Sequence, residues 1–292
     1  MKITWIGLAV NIFLAILKFT VGFLGYSHAV IADAFHSLSD MGTDFAVLFG
    51  VRLWSAPADY NHPYGHGRIE AIFTSIIGIV LAIFAIGIGY NALANIPVIH
   101  LKQPKWIAIT GSLISIILKE TLFRFTVSVG KRTRSSAVVA NAWHHRSDAL
   151  SSIPALIAVS LAVINPKLAF IDKVGALIVS IFILKIAWDI TLPCLVELSD
   201  SSAPQRYYEK IGSITMSING VMAVHAIRTR KFGSGLHVDL HVLVDGRISV
   251  KKGHEISEEV KHILLEKIPE ILDVVIHLEP YNWDELSKPD HQ

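Results

Sequence analysis

The sequence predicts an α-helical membrane domain of six transmembrane helices followed by a small C-terminal α+β domain. Three observations carry this expectation. The 292-residue chain is 52% hydrophobic and 17% charged, with a mean hydropathy of +0.51, oilier than an ordinary soluble domain. Apolar stretches of the roughly 20 residues needed to cross a bilayer recur six times before residue 200. The charges divide unevenly: residues 1–199 hold 15 Lys and Arg and 10 Asp and Glu, while the last 93 residues hold 11 and 14. Charge density therefore doubles near residue 200, giving a membrane domain over 1–199 and a polar domain over 200–292.

The expected spans are 3–25, 29–54, 68–92, 104–127, 136–163 and 168–192. The first runs straight into the second and lacks a small-residue cleavage site, so it is not a signal peptide. An even number of spans puts both chain ends on one side. Lys2, Arg52, Arg68, Arg124, Lys131, Arg132 and Arg134 gather on one face, with Lys102, Lys105 and Lys167 on the other. The basic face is expected to be cytoplasmic, which makes this an integral membrane protein with cytoplasmic termini, expected in the cell inner (plasma) membrane. Beyond residue 204 the periodicity changes: a helix at 204–218, alternating strands at 221–229 and 236–244, an amphipathic helix at 252–267 and a strand at 272–278. That order argues for helices on one face of a small sheet, followed by a polar, frayed tail from Tyr281. The pI near 8.6 gives no case for nucleic-acid binding. The single cysteine, Cys194, excludes an internal disulfide and a multi-thiolate metal site.

Ionisable residues within membrane spans are costly and point to function. The second span holds Asp33, His36, Asp40 and Asp44, and the fifth holds His144, His145 and Asp148. His36-Ser-Leu-Ser-Asp40 and His144-His-Arg-Ser-Asp148 share the form H-x-x-S-D, and residues four apart lie on one helical face. At 1.5 Å per residue, Asp40 sits about 17 Å from the outer end of its span and Asp148 about 18 Å from the inner end of its own. Both depths fall near the midplane, and antiparallel helices carrying one motif suggest an inverted repeat. Two imidazoles and two carboxylates suit Zn²⁺ and accept Co²⁺, Fe²⁺, Cd²⁺ or Ni²⁺, while Mg²⁺ and Ca²⁺ prefer all-oxygen shells. The alternative is that these groups pair with each other and with serines as helix–helix glue. His145 and Arg146 are expected to point elsewhere.

Two further clusters follow. The segment Pro57-Ala-Asp-Tyr-Asn-His-Pro-Tyr-Gly-His-Gly-Arg-Ile-Glu70 offers Asp59, His62 and His66 as a metal set, or as a helix cap and turn. In the C-terminal part, His237, Asp239 and His241 share one strand face, and His277 and Glu279 another. His225 and His254 add to this histidine-rich region, in which His262 and His291 read as surface residues.

These residues resemble the cation diffusion facilitators, proton-coupled exporters of divalent transition metals. The carriers are His36/Asp40, the Pro57–Glu70 segment, His144/Asp148, and the phrases Val224-His225-Ala-Ile-Arg-Thr-Arg230, Val238-Asp-Leu-His241-Val and Val275-Ile-His277-Leu-Glu279. The resemblance implies that His36, Asp40, His144 and Asp148 form the transport site and that Asp59, His62 and His66 form a loop metal site. It implies further that His225, His241, His254, His277 and Glu279 form cytoplasmic sites that help hold a homodimer. The C-terminal domain is then a ferredoxin-like, metallochaperone-like αββαβ fold, with Zn²⁺ as transported and regulatory ion and protons as counter-substrate. His36 and Glu279 stand where the bacterial prototype has Asp. His at the first of these positions matches the zinc-preferring members, whereas manganese members replace transport-site histidines with Asn or Asp. His237 has no family counterpart. Fe²⁺, Mn²⁺, Co²⁺ and Cd²⁺ remain alternative cargoes. An intramembrane metalloenzyme is the alternative of a different class, against which stand the lack of an H-E-x-x-H pattern and of an open coordination position for water.

Overall fold

The computed structural model describes residues 2–45, 50–95, 103–132, 136–233 and 235–281. Lys102, Arg134, His291 and the tail beyond Tyr281 lie outside the described residues, as do the side chains of Asp40, Asp44 and His144. Two compact units are present: residues 1–51 with 73–192, and residues 52–72 with 193–292.

The first unit is helical: α1 (Lys2–Leu24), α2 (His28–Phe45), most of α4 (Arg68–Asn95), α5 (Trp106–Arg132), α6 (Ser136–Ser151), α7 (Ile153–Ile164) and most of α8 (Phe170–Leu198), with the short α3 (Val51–Trp54) at the division. Among the described residues four stretches are long and apolar enough to cross a membrane: Ile6–Leu24, Arg68–Ala94, Trp106–Val129 and His145–Ile164. The other expected spans are α2, described as far as Phe45, and α8, which carries Asp172, Lys173, Lys185 and Asp189. Of the α8 charges, Asp172 and Lys173 are buried in the helical unit, where ionisable groups are tolerated, while Lys185 and Asp189 are exposed. The fifth expected span carries a one-residue irregularity at Ser152, between α6 and α7, because Pro154 has no backbone N–H to donate and its ring crowds the preceding turn; the backbone of Ser152 stays helical and the stretch His145–Ile164 runs through it.

Small residues let the helices approach closely. Ala29, Ala32, Ala155, Ala158 and Ala176 are all buried in one cluster. A Cβ on Gly175 would collide with Ala158 and press on Ala29, so only glycine fits where α8 meets α7 and α2. Asp172 of α8 caps the start of α2, accepting from the His28 backbone N–H at 2.6 Å and from the Ser27 hydroxyl. A carboxylate at a helix N-terminus meets the exposed N–H groups and the positive end of the dipole.

The second unit contains α9 (Gln205–Met216), β1 (Ala223–Phe232), β2 (Gly235–Val244), α10 (Val250–Lys267) and β3 (Ile271–Pro280), the αββαβ order expected. The sheet order is β1-β2-β3, with β1 and β2 antiparallel and β2 and β3 parallel. A parallel neighbour requires a crossover, which α10 supplies, starting from a Ser249 side chain that accepts from Lys252 N–H. Val238, Leu240, Val242 and Val244 alternate along β2 into a core completed by Ile211, Val260, Leu264 and Ile268. The opposite sheet face is left to His237, Asp239 and His241.

Candidate metal centre

In the helical unit, α2 and α6 meet through His36, one of the four expected transport ligands, and Ser151, three residues after a second, Asp148. Ser151 Oγ lies 2.7 Å from His36 Nε2 and donates to the Asp148 carbonyl at 2.8 Å. His36 and the Asp148 side chain are both buried. His145 is also buried and faces Gly7, and Arg146 stacks over Phe123 and Trp143, so neither shares the His36–Ser151 contact. Two groups that sequence reasoning had not singled out stand beside these ligands. The Lys119 ammonium is 3.2 Å from Asp148 Oδ2, and the Lys18 ammonium is 2.8 Å from Asp33 Oδ2; both lysines are fully buried. The available signal was a lone lysine within an apolar span.

The 57–66 segment forms the second cluster. Asp59 Oδ1 accepts from the backbone N–H groups of Asn61 and His62 at 2.9 and 2.6 Å, and Gly65, at φ +91°, closes the turn by donating to the His62 carbonyl. This folds His62 Nδ1 to 3.3 Å from Asp59 Oδ1 and His66 Nε2 to 3.3 Å from Asp59 Oδ2. One candidate ligand atom from each of the three residues lies within 4.8 Å of the others, so the turn that Asp59 caps also gathers a set of donors of the kind that suits a divalent transition metal. The His62 backbone hydrogen bond, first among several causes, holds the Asp59 carboxyl below its ordinary range.

The third cluster spans all three strands. His225, His241 and His277 are direct cross-strand partners, and Glu279 follows two residues later on the same face. The register between β1 and β2 shifts by one residue after His225, and Ala226 takes φ +49° at this bulge, a device that re-aims side chains. Glu279 Oε2 is 2.8 Å from His225 Nε2; its Oε1 is 2.8 Å from His241 Nδ1 and 3.4 Å from His277 Nε2. The hydrogen bond to His225, ahead of the one to His241, keeps Glu279 more acidic than an ordinary glutamate. His225, His241 and Glu279 would hold a divalent ion through imidazole nitrogens and a carboxylate oxygen. His254 lies exposed on α10, outside this cluster within one chain. Glu279→Gln, which leaves a neutral amide at the centre, is expected to weaken metal binding here by more than about 100-fold, removing one high-affinity site per chain from a calorimetric titration of the full protein.

His237 takes another role. It is buried against Phe232 and Tyr64, with ring centroids 4.9 and 5.9 Å away. Burial, then the Arg230 charge, pushes its pKa below the usual 6.5. The unfolded chain thus binds the proton more readily, so this stabilisation is complete above pH about 6.5 and declines as pH falls below it. His237→Asn is expected to flatten the fall of the unfolding midpoint between pH 7 and pH 5.

The comparisons with known proteins follow this geometry. The model described as the cation efflux transmembrane domain matches residues 4–199, and that described as the cation efflux protein, cytoplasmic domain, matches 203–281. The chain belongs to the cation efflux family. It is 34% identical to an uncharacterised transporter of Methanocaldococcus jannaschii over 92% of this chain and 94% of that protein. It is 31% identical to the manganese efflux system protein MneP of Bacillus subtilis, over 96% of each chain. A solved structure of CzrB is 27% identical and covers 27% of this chain and 99% of that one, with a TM-score of 0.26. Membership in a transporter family answers the metalloenzyme alternative: the chain is a divalent-metal efflux transporter.

Proposed function

We propose that the protein exports Zn²⁺ from the cytosol in exchange for protons, with His36, Asp40, His144 and Asp148 holding the cargo. The observation that supports this is the burial of His36 and Asp148 in the helical unit, with His36 Nε2 2.7 Å from the hydroxyl of Ser151, three residues after Asp148. Metal ligands must shed their protons to bind, and imidazole makes that exchange near neutral pH. Metal leaving outward is replaced by protons on His36, His144 or the carboxylates, and the protonated site returns inward. A membrane potential contributes about 2.3 kcal/mol per charge per 100 mV, so each additional proton steepens the gradient the exporter sustains.

The cytoplasmic cluster of His225, His241, His277 and Glu279, with His254, is the regulatory zinc site of a homodimer whose association metal favours. Asp59, His62 and His66 form a loop site on the cytoplasmic side, where both chain termini lie, and the expected membrane is the cell inner (plasma) membrane. A second cargo reading, Mn²⁺, is favoured by the likeness to MneP, named as a manganese efflux system protein; the imidazole of His36 favours zinc instead.

Flux into proteoliposomes under an imposed pH gradient, with Zn²⁺, Mn²⁺, Fe²⁺, Co²⁺ and Cd²⁺ in turn, tests cargo and coupling together. Zinc uptake that collapses with the gradient is expected. Gradient-independent flux overturns the coupling, and a preference for Mn²⁺ that His36→Asp leaves unchanged overturns the cargo.

A further inference from the structure

The buried ion pair between Lys119 and Asp148 bears directly on how the transport site handles charge. Lys119 sits on α5 with no exposed surface, and its Nζ is 3.2 Å from Asp148 Oδ2. An ammonium in such a place is stable only when paired. A divalent ion bound to the same carboxylate oxygen at about 2.0–2.2 Å cannot share it with an ammonium, because two cations would then face each other across one oxygen in an apolar interior.

The helix offers somewhere for the ammonium to go. Ser115 and Ser112 lie four and seven residues before Lys119, on the same face of α5. Both are fully buried, and their Oγ atoms have no hydrogen-bond partner among the described residues. Long side chains on a helix lean toward its N-terminus, so a swing of the four-carbon stem of Lys119 would take its ammonium toward these hydroxyls, that of Ser115 one turn away being the nearer along the helix.

We propose that Lys119 is a tethered counter-cation of the transport site: it neutralises Asp148 when no metal is bound and withdraws to Ser115 and Ser112 when metal arrives. A monovalent ion would only exchange one positive charge for another at Asp148, whereas a divalent ion brings net attraction, so the lysine selects for charge. This rests on Asp148 being a transport ligand.

The test is zinc uptake by proteoliposomes, read as KM and maximal rate separately. Lys119→Gln removes the competing cation and is expected to lower KM by about tenfold, while Lys119→Arg, which keeps the charge, stays near wild type. Ser115→Ala leaves the resting pair intact, takes away the receiving hydroxyl and raises KM several-fold. A Lys119→Gln protein that elutes as wild type does, yet shows an unchanged or raised KM, overturns the proposal. If Lys119→Gln does not fold, Ser115→Ala decides, and an unchanged KM there overturns it. Asp148→Ala run in parallel separates the two failures. Full uptake in Asp148→Ala sinks the ligand assignment itself; lost uptake there, with an unchanged KM in Lys119→Gln, sinks only the counter-cation.

Discussion

Asp148→Ala is expected to reduce zinc flux into proteoliposomes to the level of protein-free vesicles, a loss of at least about 100-fold. Two separate costs produce this. The first is chemical: the proposed site keeps three ligands out of four, and even the loss of a group that merely orients a ligand weakens metal sites by about 10- to 100-fold. The second is electrostatic. With the carboxylate gone, the Lys119 ammonium loses the partner that stands 3.2 Å away, and breaking a buried pair from one side costs about 3–5 kcal/mol.

A second substitution separates these costs. In Asp148→Ala/Lys119→Met both members of the ion pair are gone, and the unfolding midpoint in detergent is expected to recover most of what the single variant lost. Flux stays at background, because the ligand is still missing. Recovery of both stability and flux in the double variant would show that Asp148 serves the fold alone.

What was legible in the sequence follows from the physics of spacing. His36/Asp40 and His144/Asp148 stand out in the sequence because an i, i+4 pair of ionisable residues inside an apolar run has few structural uses; the structure describes the burial of His36 and Asp148, while the side chains of Asp40 and His144 lie outside the described residues. The αββαβ order was legible because alternation along β2 is clean, with Val238, Leu240, Val242 and Val244 inward and His237, Asp239 and His241 on the other face. What escaped lies in the third dimension. His225 stands opposite His241 with a one-residue slip just beyond it at Ala226, and no periodicity announces a bulge. Strand alternation put His237 beside His241, and the face was right, but Phe232 and Tyr64 bury it in a separate environment. The irregularity at Ser152 was hidden because a proline in an apolar run is as compatible with a new helix as with a kinked continuous one. Residues 52–72 group with the C-terminal unit, although their place in the sequence is between two spans. Lys18 and Lys119 passed as interruptions of apolar runs, since a single charge shows its partner only after the helices pack.

Lys18→Met is expected to produce the largest loss of stability of any single change outside the transport ligands. The Lys18 ammonium lies 2.8 Å from Asp33 Oδ2, 2.9 Å from Ser37 Oγ and 3.0 Å from Ser152 Oγ, and Ser152 in turn donates to Asp33 Oδ1 at 2.8 Å. Two hydrogen bonds to serine hydroxyls and an ion pair with Asp33 tie Lys18 on α1 to α2 and to the α6–α7 junction. Methionine fills a similar volume but leaves the fully buried Asp33 without its counter-ion, at a cost of about 3–5 kcal/mol. For a helical unit of this size each kcal/mol shifts the midpoint by roughly 2–4 °C, so thermal unfolding in detergent should begin about 10 °C lower. Lys18→Met/Asp33→Leu removes both charges and is expected to regain most of that loss, because replacing a whole buried pair by apolar groups is nearly neutral where breaking it is not. The double variant also reads out position. Ser152 neighbours Ser151, the residue that touches His36, so a network that only stabilises the bundle leaves zinc flux at the wild-type rate in the double variant. A network that holds the α6–α7 junction in place for the transport ligands gives a stable protein with reduced flux, and the second result is the one expected, since apolar substitutes restore burial but not the hydrogen bonds that fix Ser152.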